Sequence, residues 1–228
     1  MRLDRYLSEA CGITRSNAKK ALHRGDVTVD GVVIKKGDTQ ITNQAVSIDG
    51  QLLASPAARY LLLHKPAGYI SATQDDAHPC VLRLLPAELH RGLQCAGRLD
   101  VDTTGLLLLT DDGKWSHRLR APKRACPKVY QVDLIEPLAP AVAQQFAKGL
   151  ELHNEDKPTL PATLEQLTPT RVLLTIQEGK YHQVKRMFAA VGNHVVALHR
   201  LQVGDIVLDE SLAPGEWRHL TEQEVASI

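Results

Sequence analysis

Apolar and polar positions along this chain follow two different periods, and each predicts a different kind of element. Leu3, Leu7 and Ala10 recur at helical spacing, and Ala18, Ala21 and Leu22 form a second apolar face. Thr14 or Ser16 can cap that second helix, whose exposed side carries Arg15, Lys19 and Lys20, and Gly25 stops it. Short apolar runs follow. Val27-Thr28-Val29 and Val32-Val33-Ile34 flank Asp30-Gly31, a strong hairpin signal. A strand at 45–48 ends in a second Asp-Gly, and the uncharged stretch 51–58 reads as a linker.

Beyond it the pattern predicts a strand at 59–64, cut off by Lys65-Pro66-Ala67-Gly68, then a polar loop and a short helix at 81–89. Leu106-Leu107-Leu108-Leu109 is an apolar run of the length expected for a buried strand. Helices are predicted at 114–119, 139–150 and 181–191, the last stopped by Gly192. Strands are predicted at 129–134, 163–167, 171–176, 195–201 and 205–208. Several strands with few crossover helices imply an α+β fold with a mixed, largely antiparallel sheet flanked by helices. A small helix–hairpin domain and linker would occupy 1–56, and the larger domain 57–228.

The leucine run stands out for what precedes it: Gly97-Arg98-Leu99-Asp100-Val101-Asp102-Thr103-Thr104-Gly105. A carboxylate delivered to the end of a core strand is costly to bury unless it is paired. Asp100 is therefore the candidate nucleophile or base, whereas Asp102, followed by two threonines, reads as a turn-capping acid. In the second cluster, His182-Gln183-Val184-Lys185-Arg186-Met187, helical spacing puts His182 on a face with Lys185 or Arg186. One such cation directed at Asp100 would keep it ionised. Tyr130 shares a strand face with Lys128 and Val132; beside a basic loop, its ring can serve as a stacking platform as well as core.

Composition narrows the classes. No apolar run reaches the roughly 18 residues of a membrane span, and the charged start, Met1-Arg2-Leu3-Asp4-Arg5, is unlike a signal peptide, so a soluble cytoplasmic protein is expected. Four scattered cysteines without a Cys-x-x-Cys pair argue against zinc and against a disulfide framework. The net charge of +1 announces no polyanion, but the basic residues are clustered. Arg2, Arg5, Arg15, Lys19, Lys20 and Arg24 form one island. Lys114, Arg118, Arg120, Lys123, Arg124 and Lys128 form a second, and Lys180, Lys185, Arg186 and Arg200 a third. Any one island could be a solvated helix face; three together in a nearly neutral protein point to local contact with a polyanion.

Two resemblances rest on these residues. The opening Arg-Leu-Asp, the basic helix beginning Thr14-Arg15-Ser16 and the hairpin Gly25-Asp26-Val27-Thr28-Val29-Asp30-Gly31 resemble the S4 RNA-binding module over roughly 1–48. Residues 97–110, with Lys65-Pro66-x-Gly68, Lys128-Val129-Tyr130 and Gly179-Lys180-Tyr181-His182-Gln183-Val184-Lys185-Arg186-Met187, resemble the motifs of RsuA-type ribosomal pseudouridine synthases over essentially the whole chain. Asp102-Thr103-Thr104-Gly105, Leu152-His153-Asn154-Glu155 and Tyr181-His182-Gln183 look closest to the branch acting on small-subunit rRNA.

The resemblance implies an rRNA-modifying isomerase that turns one uridine of 16S rRNA into pseudouridine, of the position-516 type, working as a monomer on a partly assembled subunit. It implies that Asp100 is the essential carboxylate, that Tyr130 stacks on the target uracil, and that Lys185 pairs with the aspartate where related families usually place arginine. Arg98 would lie near the extruded nucleotide, and the first island with Lys128 and Arg186 would contact RNA. Isomerisation exchanges a C1′–N1 bond for a C1′–C5 bond with nothing oxidised, so neither cofactor nor metal is expected. Three other readings remain open: a synthase of the same family acting on 23S rRNA, a non-catalytic ribosome-assembly RNA-binding protein, and a glycosidase built on Asp100 and Asp102.

Overall fold

The computed structural model describes residues 1–121 and 126–228, which form two compact units, Met1–Ala57 and Ala58–Ile228. Lys123 and Arg124 of the second basic island lie outside the described residues.

In the first unit, helices α1 (Leu3–Ala10) and α2 (Arg15–Arg24) pack on a four-stranded sheet of β1 (Val27–Val29), β2 (Val32–Val33), β3 (Val46–Ile48) and β4 (Gln51–Leu52), ordered β2-β1-β3-β4. Thr14 caps α2 by accepting from the Asn17 amide at 3.2 Å. Gly25 ends it in the left-handed region, φ 88°. Both Asp-Gly pairs have positive φ at each residue, the backbone of tight hairpins. The second of them makes Gln51–Leu52 a strand, so the connecting segment is shorter than the sequence predicts. Leu3, Tyr6, Leu7, Ala18, Leu22, Val27 and Val46 are buried together.

The second unit is built on a nine-stranded sheet. Its path is β13 (Trp217–His219), β5 (Tyr60–Lys65), β7 (Thr104–Thr110), β11 (Val195–Val203), β8 (Lys128–Leu134), β10 (Arg171–Ile176) and β9 (Thr163–Thr168). β6 (Gln94–Cys95) and β12 (Ile206–Val207) pair at the side, on β7 and β11. Every pairing is antiparallel except β7 with β11, so the sheet is mixed and largely antiparallel. Helices α3 (Gly113–Arg120), α4 (Val142–Lys148), α5 (Gln183–Ala190) and α6 (Glu222–Ala226) flank it. The expected helix at 81–89 is instead two short 3₁₀ turns, Val81–Leu84 and Ala87–Leu89, with Pro86 between them breaking the ladder of bonds. β6, β13 and α6 are too short to leave a readable period in the sequence.

The unbroken leucine run follows from burial on both faces. Leu107 and Leu109 join one core with Leu61, Leu63, Tyr130, Val132, Phe146 and Phe188. Leu106 and Leu108 join the opposite one with Leu62, Trp115, Leu119 and Ile206. A strand covered on both sides has no solvent face to encode with polar residues. Among the described residues no helix is long and apolar enough to cross a membrane.

Candidate active site

The polar sequence before β7 becomes a tight turn, closed by the Thr103 amide donating to the Asp100 carbonyl at 3.1 Å. Its flanks are fixed from β5 and the segment beyond. Ser71 bonds both the amide and the carbonyl of Leu99, at 3.0 and 2.9 Å, and the Gly68 amide donates to Val101 at 2.8 Å. Beneath lies Lys65, with no exposed surface. Its ammonium donates to the carbonyls of Thr103 (2.7 Å), Pro66 (3.0 Å) and Val101 (3.3 Å). Three donors meet three acceptors, so the buried cation is hydrogen-bonded throughout. Burial nonetheless pushes its pKa down to about 8, against the pull of Asp102 and Asp100.

Two side chains from the start of α5 meet the turn. His182 Nε2 lies 3.4 Å from Asp100 Oδ1, and Lys185 Nζ lies 3.4 Å from Asp100 Oδ2. Lys185 stands closer to Asp102, at 2.7 and 2.8 Å from its two carboxylate oxygens. Asp102, read from the sequence as a turn-capping acid, does lie in the turn, with its side chain 64% exposed, and it shares the lysine with Asp100. The lysine in turn serves both acids, not Asp100 alone. Its hydrogen bond holds the Asp102 carboxyl below its usual range. Burial pulls the Lys185 pKa down, but the two carboxylates outweigh it and the net shift is upward.

The helix also begins later than its periodicity predicts, at Gln183, because His182 adopts φ 46° and ψ 36°. Left-handed backbone is uncommon for any residue but glycine, and only a few residue types, histidine among them, are enriched there. Here it turns the imidazole toward Asp100.

A cleft of about 570 Å³ opens above the turn, lined by Arg98, Asp100, Lys128, Tyr130, Lys185 and Arg200 among others. Tyr130 is 8% exposed and forms part of the wall. Arg200, only 4% exposed, lies beside it with its guanidinium carbon 6.0 Å from the ring centroid. The guanidinium donates to the carbonyls of Leu106 (2.8 Å) and Arg98 (3.4 Å) and to the Tyr130 hydroxyl (3.5 Å). Arg98 itself is exposed at the cleft edge. Lys128 is half-buried; its ammonium donates to the Cys126 carbonyl at 2.8 Å and burial lowers its pKa.

The remaining basic candidates are spread more widely. Arg186 is bound to Glu155 (2.7 Å) and to the carbonyls of Tyr181 and His153, so its guanidinium is committed to tying two loops together. In the first unit Arg2 pairs with Asp4, Arg5 with Glu9 and Arg24 with Asp26, while Arg15, Lys19 and Lys20 are exposed along α2. Sequence reasoning left out two central residues. Lys65 was visible only as part of a turn motif and Arg200 only as a member of an island. Neither pattern signals that a cation will be buried.

Comparison with known proteins accords with this geometry. Residues 59–190 match the family model described as RNA pseudouridylate synthase. The ribosomal small subunit pseudouridine synthase A of Salmonella typhimurium is 53% identical, covering 100% of both chains. The protein of that name from Vibrio cholerae is 52% identical over 100% of this chain and 99% of its own. A crystal structure of a pseudouridylate synthase superposes with a TM-score of 0.74 at 46% identity, covering 100% of this chain and 99% of that one.

Proposed function

The chain belongs to the RNA pseudouridylate synthase family, as an RsuA-type rRNA uridine isomerase, and from that premise we propose that it converts one uridine of 16S rRNA, of the position-516 type, with Asp100 as the essential carboxylate. The observation that carries the residue assignment is the placement of Asp100 between two basic side chains at the mouth of the cleft walled by Tyr130.

The chemistry follows from that placement. A target uridine inside folded RNA has to leave its stack, at a cost of a few kcal/mol. The ring of Tyr130 offers the extruded uracil a surface, and the exposed Arg98 stands where the strand enters. Lys185 and His182 hold the Asp100 carboxyl from its two oxygens, so that it faces the ribose. The C1′–N1 bond breaks, the uracil turns within the cleft, C1′ joins C5, and the C5 proton is exchanged for one at N1. Nothing leaves the site, so a closed wall suits the reaction better than an open groove. Asp100 acts either on C1′ covalently or on the C2′ proton; both need the same ionised oxygen.

In the first unit, the exposed row Arg15, Lys19 and Lys20 suits an S4-like module that grips phosphates and orients the RNA without reading sequence. The substrate is then rRNA in a partly assembled small subunit, met by a single copy of the chain.

Carbodiimide mapping of rRNA from cells with and without the gene tests the reading. Loss of one pseudouridine in small-subunit rRNA is expected, restored by the wild-type gene but not by Asp100→Asn, whose purified protein keeps its RNA affinity. Loss in large-subunit rRNA would overturn the substrate. Restoration by Asp100→Asn would overturn the residue, and no loss at any site would favour a binding protein.

A further inference from the structure

Tyr181 is an exposed aromatic residue of the cleft that the reaction leaves unused. Its ring lies on that of His182, centroids 3.9 Å apart and planes 18° from parallel. His182 therefore covers one face of the phenol, while Tyr181 as a whole remains 67% exposed. A large aromatic left in solvent beside a catalytic carboxylate calls for an occupant.

We propose that the open face of Tyr181 is a stacking subsite for an unpaired nucleobase of the RNA, the one next to the target uridine in the strand; this rests on the reading of the protein as an RNA-modifying enzyme. Three observations support it. Tyr181, His182 and Asp100 line one cleft, and His182 bridges the other two, 3.4 Å from Asp100 and stacked on Tyr181. The ring is presented on a braced loop: Arg186 donates to the Tyr181 carbonyl at 3.0 Å, and Glu155 accepts from both Arg186 (2.7 Å) and Lys180 (2.9 Å). Little order remains to be gained on binding. Finally, Tyr130 is 8% exposed in the cleft wall whereas Tyr181 is 67% exposed, so a base beside the target has a separate aromatic surface to meet.

The occupant follows from the chemistry of extrusion. Taking one nucleotide out of a stack deprives its neighbour of a stacking partner, and an aromatic ring at the cleft mouth replaces it. Stacking tolerates any base, since each has a π-face. The subsite thus adds affinity for a splayed strand without selecting its sequence.

The test uses the full-length protein and a small-subunit rRNA fragment spanning the uridine mapped as its target. Tyr181→Ala should weaken binding of this fragment about 5- to 150-fold, the range for loss of one base–aromatic stack, while the single-turnover rate of the bound complex stays within about twofold. Tyr181→Phe, which keeps the ring, should restore the affinity. An abasic residue on one side of the target should weaken wild-type binding comparably yet add nothing further to Tyr181→Ala. Unchanged affinity of Tyr181→Ala would overturn the proposal, as would full additivity with abasic residues on both sides. A lost rate at unchanged affinity would also overturn it, since Tyr181 would then act through His182 on Asp100. If wild type converts no uridine in any rRNA, the underlying function fails and the subsite with it.

Discussion

Lys65 and Lys185 hold the same turn in different ways. Lys185 is a partly exposed point charge shared between two carboxylates, and such pairs stabilise little in water. Lys65 has no exposed surface and binds the turn through its backbone, at Val101 and Thr103. Lys65→Met keeps the length of the side chain but leaves carbonyls without donors, an expected net loss of about 2 kcal/mol. Thermal melting should register this as a fall of about 4–8 °C, with conversion reduced because Asp100 is no longer held in place. The pH dependence has a definite sign. The folded chain releases the Lys65 proton near pH 8, whereas the unfolded chain holds it up to the ordinary 10.5. Between those values the unfolded state binds more protons, so this residue makes stability rise with pH over that window. Melting profiles of Lys65→Met should lack that rise.

At the scale of elements, the site depends on β7 and β11 meeting closely. Gly105 has φ 104°, and a Cβ there would collide with the backbone of Arg200. Gly105→Ala should therefore destabilise the protein by about 2–4 kcal/mol, combining backbone strain with overpacking, a loss that urea unfolding would measure. Much of the element pattern was legible in the sequence because short-range rules wrote it: Asp30-Gly31 and Asp49-Gly50 require tight hairpins, and the leucines of β7 require cover. The Asp100 turn was legible because acids beside such a run need a reason to be there. What escaped depends on contacts distant in sequence. Nothing near His182 marks its left-handed backbone, and nothing near Arg200 marks a guanidinium enclosed by residues 98, 106 and 130. The sharing of Lys185 between two acids likewise needed the turn to be seen in space.

For the whole molecule, a net charge of +1 means that RNA affinity has to come from where cations are placed. The exposed row on α2 is the clearest such place outside the cleft. Replacing Arg15, Lys19 and Lys20 together with glutamine leaves the core of that unit intact. It should flatten the plot of log affinity against log salt by about 2, because fewer counterions are released from single-stranded RNA. An unchanged slope would show that α2 does not touch phosphates. The order in which the chain is made bears on the other unit. β7 gains its antiparallel partner β5 early, but its parallel partner, β11, begins some 90 residues after it. Synthesis runs from the N-terminus, and closing so long a loop is entropically slow. Through that interval β6 already covers Leu109 and Thr110, but the edge at Thr104 and Gly105, next to the Asp100 turn, stays open, and Lys185 and Arg200 have yet to arrive. The growing polypeptide thus carries the Asp100 turn without its basic neighbours, and that short edge needs shielding until residues 195–203 emerge.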